Sequence, residues 1–298
     1  MLSSLTPIIL LCLKIVVMFK EECFQSPVDS KKIFYRSALR ETRKAVVICH
    51  GACEHSGRYQ RLIKFLWERG YSVFAYDHRG HGRSEGKRVH VDCFSDYLSD
   101  LDQMLNLLRN LNYLRIHLFG HSMGGLITAR YIQEQQPDIA SLILSSPLCG
   151  LGATSKIKIV MATIIARIWP GFTLQSPVDE TLLSHDELVG REYGEDPMVF
   201  NMCTVKWGVE LMKSFPILFK KADLIRVPLL LMVAGADKLT NPNASREFFK
   251  IIGSRDKKYY FFEDMYHEIF NEVENDKPFG CLADWLKTLD GDLCKELG

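Results

Sequence analysis

The chain has 298 residues, a formal net charge of +1, 47% apolar residues and 24% charged residues. A chain of that length buries a large core without staples, and the composition is that of a globular protein, not a disordered or fibrous one. Balanced charge with no long basic block argues against nucleic acid as a partner, and short clusters such as Lys220-Lys221 and Lys257-Lys258 read as solvated surface.

The first stretch, "MLSSLTPIILLCLKIVVMF", is apolar, but Lys14 interrupts it and neither a basic leader nor a small-residue cleavage site is evident. Three readings of residues 1–17 stand open: a membrane-associating segment, a secretory signal, or an artefact of start assignment, with Met18 opening a complete domain entry. From residue 33 onward, short apolar runs alternate with amphipathic stretches. Strands are expected at 33–35, 45–49, 71–76, 115–119, 140–144, 228–233 and 258–262. Helices are expected at 61–69, 94–111, 123–135, 244–252 and 279–289. In the second of these, Leu98, Leu101, Met104, Leu105 and Leu108 recur at three- and four-residue steps. Fully apolar strands alternating with helices imply an α/β protein with a mostly parallel sheet covered on both faces.

Residues 150–218 break this alternation and hold no defensible strand. "KIKIVMATIIARIW" places Ile157, Val160, Met161, Ile164, Ile165 and Ile168 on one broad helical face, and Pro170-Gly171 ends that helix. The expectation is a helical cap over the carboxyl edge of a core formed by residues 18–149 and 219–298.

The chemistry begins at Gly120-His121-Ser122-Met123-Gly124, a G-x-S-x-G pattern between an apolar strand and a helical stretch. A serine on so tight a turn requires small residues two before and two after it. The turn also aims backbone N–H groups of the following helix at developing negative charge. A serine hydroxyl needs a base, and the base needs an orienting carboxylate, in the chain order Ser, acid, His. Asp237 follows the strand "VPLLLMV" in a Gly-Ala-Asp turn. His267 is the only one of nine histidines beyond it. Asp264 and Glu268 are alternative acids, second in order because they lie so close along the chain to His267. The oxyanion of an attacked ester needs two N–H donors: Met123 supplies one, and Ala52, in the small-residue loop His50-Gly51-Ala52, is the expected second. His50 reads as a brace for that loop.

Nine cysteines, at irregular spacings and without a C-x-x-C, read as reduced thiols in a reducing compartment and not as a zinc site. The expected location is cytoplasmic, with membrane association as the second reading.

"HGACEHSGRY", "YDHRGHGRSEG", "GHSMGG" and "SSPL", together with the Asp237 and His267 turns, resemble the monoglyceride lipase and lysophospholipase branch of the α/β-hydrolase superfamily. The resemblance runs from about residue 18 to 289. It implies an eight-stranded, mostly parallel sheet, a helical cap, and a serine hydrolase acting on acyl esters of glycerol or lysophospholipid without metal or organic cofactor. Carried over, the nucleophile is Ser122, the acid Asp237, the base His267, and the oxyanion donors Ala52 and Met123. The chain departs from the pattern at Cys53, where such relatives usually carry glycine. A tolerated substitution is expected there, with a narrowed or oxidation-sensitive site as the alternative. The cluster Asp77-His78-Arg79-Gly80-His81-Gly82 tempts as a metal or catalytic site, but the resemblance implies a scaffold loop.

The expected substrate is a single-chain lipid ester, monoacylglycerol or lysophospholipid, selected by the insertion; two readings of its apolar surface stand open, that part of it lines an acyl channel or touches a bilayer, or that all of it packs on the sheet domain. The alternatives are a short-chain carboxylesterase, an aminopeptidase or an acyltransferase on the same residues, or a silent binding protein. A serine at the elbow argues against an aspartate-nucleophile dehalogenase or epoxide hydrolase.

Overall fold

The computed structural model describes residues 17–151, 156–176 and 178–291, with backbone alone at 156–159. The apolar segment at 1–17 therefore lies, but for Val17, outside the described residues. Among the described residues ten strands run in chain order: β1 (Phe19–Gln25), β2 (Lys32–Ala38), β3 (Lys44–Cys49), β4 (Ser72–Tyr76), β5 (Arg115–His121), β6 (Ser141–Ser145), β7 (Thr173–Gln175), β8 (Met202–Thr204), β9 (Leu229–Ala234) and β10 (Lys257–Phe262). Eight α-helices accompany them: α1 (Gln60–Glu68), α2 (Ser95–Asn110), α3 (Met123–Gln135), α4 (Lys156–Ile168), α5 (Glu187–Glu195), α6 (Val205–Lys220), α7 (Pro242–Ile251) and α8 (Asp276–Asp290). Eight strands form one sheet in the order β1-β2-β4-β3-β5-β6-β9-β10, parallel from β4 to β10 and antiparallel where β2 joins β1 and β4.

The continuous apolar strands have a direct cause. Successive side chains of a strand point to opposite faces, and here both faces are covered. In β3, Ala45, Val47 and Cys49 pack into the core shared with α2, α3, α6 and α7. Val46 and Ile48 face the other core, built on α1 and α8 with Trp285 fully buried. The five apolar residues of the α2 stripe are all buried in the first core. Helix starts follow local chemistry: Asn241 Oδ1 accepts from the amides of Asn243 and Ala244 at 3.1 and 3.2 Å, so α7 begins two residues earlier than its apolar pattern predicts.

Two elements differ from expectation. β1, which the sequence reading leaves unassigned, is an edge strand carrying Lys20, Glu21 and Glu22, charges that guard an edge and blur its alternation. The insertion between β6 and β9 is not strand-free, because β7 and β8 pair antiparallel as a small second sheet. Three residues each are too short to show a period in sequence. The expected apolar face of α4 is divided. Ala166 is buried and Ile165 partly buried against Val205 and Val209 of α6, whereas Val160, Met161, Ile164 and Ile168 are exposed; the Ile157 side chain lies outside the described residues. Among the described residues no helix is long and apolar enough to cross a membrane.

At the amino end of the sheet, a buried network fixes the carboxyl end of α8. Asp290 accepts from His117 Nε2 at 3.1 Å, Tyr71 Oη at 2.8 Å and Arg115 Nε at 2.7 Å, while His117 Nδ1 meets Ser141 Oγ at 2.8 Å. A carboxylate at a helix C-terminus is unfavourable alone, so these donors must hold it. Burial raises its pKa, but His117, Tyr71 and Arg115 outweigh that and hold it well below the usual carboxylate range. A depressed carboxyl contributes stability above its unfolded pKa, and that contribution fades as pH falls through the folded value. Asp290→Asn is therefore expected to cost about 2 kcal/mol in urea unfolding at pH 7, with the gap from wild type narrowing below about pH 3.9.

Candidate active site

The site forms at the carboxyl end of the parallel strands. β5 ends at His121, and Ser122 follows with φ 52° and ψ −117° before α3 begins. A non-glycine residue held there costs roughly 1–3 kcal/mol, so its surroundings must over-determine it. The Ser122 N–H donates to Ser145 O at 3.1 Å, and its carbonyl accepts from Leu148 N at 2.9 Å and Leu126 N at 3.2 Å. A Cβ at Gly120 would lie 2.4 Å from Thr128 Oγ1, and one at Gly124 would lie 2.0 Å from the Cys49 carbonyl oxygen. The small residues around Ser122 are thus a packing requirement, set where α3 passes the end of β3.

Asp237 stands just beyond β9 and His267 just beyond β10, and their side chains meet with His267 Nδ1 at 2.7 Å from Asp237 Oδ2. Asp237 also accepts from Leu239 N at 2.8 Å, Thr240 N at 3.0 Å and Thr240 Oγ1 at 2.7 Å. Burial would raise its pKa, yet the imidazole and these donors keep the carboxyl well below the usual range. Burial pulls His267 down, but the Asp237 carboxylate more than offsets it and leaves the imidazole above its ordinary 6.5. His121 lies beside it with ring centroids 4.6 Å apart. Burial first, and the neighbouring His267 second, push His121 well below 6.5, and its Nδ1–H donates to Ser145 O at 3.1 Å. Two adjacent imidazoles are driven in opposite directions, and His267 is the one poised to hold a proton. Of the alternative acids, Glu268 turns to Arg58, and Asp264 lines a separate surface pocket.

Ser122, His267, Ala52 and His121 line one cavity of about 290 Å3. Most of its remaining wall is apolar, with Leu148, Leu174, Leu183, Trp207, Leu211 and Phe215 prominent. Residues of the insertion supply much of that wall.

The loop after β3 is braced from three sides. The His78 amide donates to His50 Nε2 at 2.9 Å, so His50 is neutral with its proton on Nδ1, which donates to Gly51 O at 2.7 Å. The Gly51 N–H donates to Glu54 Oε1 at 2.6 Å. Arg58 then bridges Glu54 at 3.2 Å and Glu268 at 2.9 Å, lying over the Tyr193 ring. This buried ion group ties the Ala52 loop to the His267 loop and to α5, and the sequence reading did not find it. Among the described residues, neither the Ala52 nor the Met123 amide is taken up by a protein acceptor. His78 and His81 are buried and pushed down to about 3 and about 4 by desolvation. No cluster of three or more metal-ligating side chains occurs among the described residues. Arg79 of the same loop pairs with buried Asp100 at 2.7 Å, and Asp77 accepts from the amides of Ser56 and Arg83, each at 2.8 Å.

Cys53 has φ 64°, a left-handed conformation that favours glycine, which gives the departure at this position a backbone meaning. Its thiol is buried, 3.3 Å from Ser176 Oγ, pushed up to about 12 by burial, and does not line the cavity. Cys23, Cys49, Cys53, Cys93, Cys149, Cys203 and Cys281 are all free.

Residues 40–274 match the family described as serine aminopeptidase S33, and the chain belongs to that family. It is 34% identical to the phospholipase YtpA of Bacillus subtilis, over 78% of this chain and 91% of the relative, and 31% identical to the monoglyceride lipase of Homo sapiens, over 78% of each. The crystal structure of the monoacylglycerol lipase of Paleococcus ferrophilus superposes with a TM-score of 0.81 at 33% identity, covering 87% of this chain and 99% of that one, and the fold is that of the α/β-hydrolases. The chain spans only 26% of an uncharacterized abhydrolase domain-containing protein of Dictyostelium discoideum to which it is 31% identical.

The conformation of Cys53 makes a comparative prediction. Both Cys53→Gly and Cys53→Ala lose the thiol, but only alanine keeps the strain. The glycine variant is expected to be more stable than the alanine variant by about 1 kcal/mol in urea unfolding. Equal stabilities, or the reverse order, would remove the strain argument.

Proposed function

We propose that the protein is a serine hydrolase that cleaves carboxylic esters of single-chain lipids, monoacylglycerol or lysophospholipid, through an acyl-enzyme. The observation that carries this reading is that Ser122 and the Asp237-paired His267 line one cavity of about 290 Å3 whose remaining wall is mostly apolar. In this mechanism Ser122 Oγ attacks the ester carbonyl and gives its proton to His267 Nε2, the nitrogen left once Nδ1 is engaged by Asp237. The amides of Ala52 and Met123 stabilise the oxyanion. Collapse of the adduct breaks the acyl carbon–oxygen bond, and the alcohol leaves with the proton from His267. Water then attacks the acyl-serine with the same imidazole as base, releasing fatty acid and restoring Ser122.

The names of the relatives support this substrate class, since two are called monoglyceride or monoacylglycerol lipase and one phospholipase. The family description also names an aminopeptidase. A peptide's terminal ammonium calls for an unpaired carboxylate in the pocket. The two carboxylates on the wall, Glu54 and Glu268, both belong to Arg58.

Release of fatty acid from a monoacylglycerol panel tests the reading. Wild type should turn over, with an acid limb in kcat/KM whose midpoint lies above pH 6.5, because only neutral His267 accepts the proton and Asp237 raises its pKa. Ser122→Ala should release none; undiminished release from that variant would end the proposal.

Val160, Met161, Ile164 and Ile168 of α4 are exposed, as are Trp169 and Leu174 just after it, and Leu174 also lines the cavity. We infer that these side chains seat the protein on a lipid surface beside the cavity mouth. Ile168→Ser with Trp169→Ser should weaken co-sedimentation with phosphatidylcholine–phosphatidylserine vesicles by about tenfold or more. Unchanged partition would exclude this surface.

A further inference from the structure

Helix α6 gives the cavity one continuous stripe of wall: Trp207, Gly208, Leu211, Met212 and Phe215. The spacing is that of a single helical face, and every position but one carries a large side chain. Glycine in a helix interior costs about 1 kcal/mol relative to alanine, so its presence calls for a cause. Two usual causes are a left-handed backbone and close approach of a neighbour. Among the described residues Gly208 has neither, since its backbone is helical and a Cβ built on it would meet no heavy atom of theirs within 4 Å. Gly190 in α5 shows the contrast, because a Cβ there would come within 2.8 Å of the Glu180 carbonyl oxygen. Gly208 is itself part of the cavity lining, so the space beside it opens onto the cavity.

We propose that Gly208 is a specificity-determining residue that keeps the cavity long enough for an extended acyl chain by withholding a side chain from the α6 wall. The inference rests on the lipid-ester reading and sharpens it: the acyl chain joined to Ser122 passes along α6, and a side chain at 208 would stop it short. Each methylene denied burial should cost about fourfold in kcat/KM, the ratio equivalent to ~0.8 kcal/mol of transfer free energy per methylene.

The test is the ratio of kcat/KM for 1-dodecanoylglycerol to that for 1-butyrylglycerol, measured for wild type and for Gly208→Ala, Gly208→Leu and Gly208→Phe. The ratio should fall in that order, by about fourfold for alanine and at least tenfold for phenylalanine. Gly208→Ala removes a helix glycine without steric contact, so it should fold and melt slightly higher than wild type. Gly280→Ala is the control. Gly280 is a second helical glycine with nothing within 4 Å among the described residues, exposed on α8, and its replacement should raise the melting temperature without moving the ratio. An unchanged ratio in folded Gly208→Ala and Gly208→Leu, with wild type active on the dodecanoyl ester, overturns the role of Gly208 alone. A wild type that turns over neither monoacylglycerol overturns the lipid-ester reading and this inference with it.

Discussion

Everything at this site depends on one strained turn. Ser122 holds a positive φ because α3 must leave β5 so sharply that Gly124 passes against the Cys49 carbonyl at the end of β3. That approach fixes the distance between the first turn of α3 and the loop that follows β3. Ala52 of that loop and Ser122, at the start of α3, line the same cavity. The strain is carried by the sheet, whose two packed cores leave β3, β5 and β6 no freedom to relax it. A second positive φ, at Ser146 after β6, sits beside the first, and Pro147 packs where a Cβ on Gly125 would otherwise go. The elbow is thus a three-strand structure, although its sequence signature is local.

Charge placement completes what the turn begins. His121 and His267 lie side by side with their rings tilted, and a site with two interchangeable imidazoles would share its proton. Asp237 breaks that symmetry by reaching one of them only. Arg58 plays a mechanical part at a distance, holding Glu54 of the Ala52 loop and Glu268 of the His267 loop in a single buried group. Such a group contributes little net stability over an apolar core, but removing its cation would strand two carboxylates. Its value is geometric: it ties the Ala52 loop to the His267 loop.

The sequence made the elbow legible because steric crowding acts within five residues and leaves only glycine as a solution. The parallel sheet was legible for a similar reason, since strands covered on both faces must be apolar throughout. Pairing over long separations was not visible. Arg58 and Glu268 lie 210 positions apart, and nothing local marks either as half of a bridge. β7 and β8 exist only because each finds the other across the insertion. The departure at Cys53 is visible in the sequence, but its cause, a left-handed backbone, belongs to the folded loop. Gly208 is the extreme case. Its meaning is the empty space beside it, which no pattern of residue types records.

The convergence at Ser122 can be tested by its reactivity. Treatment of the protein with a long-chain alkyl fluorophosphonate, followed by intact-mass and peptide analysis, reports which oxygen is activated. The account predicts one equivalent bound, on Ser122, with ester turnover lost in proportion and with labelling slowed at least a hundredfold in His267→Ala, the order of a general-base contribution (~10²–10⁴). Label on another residue, or turnover that survives full modification of Ser122, would contradict it.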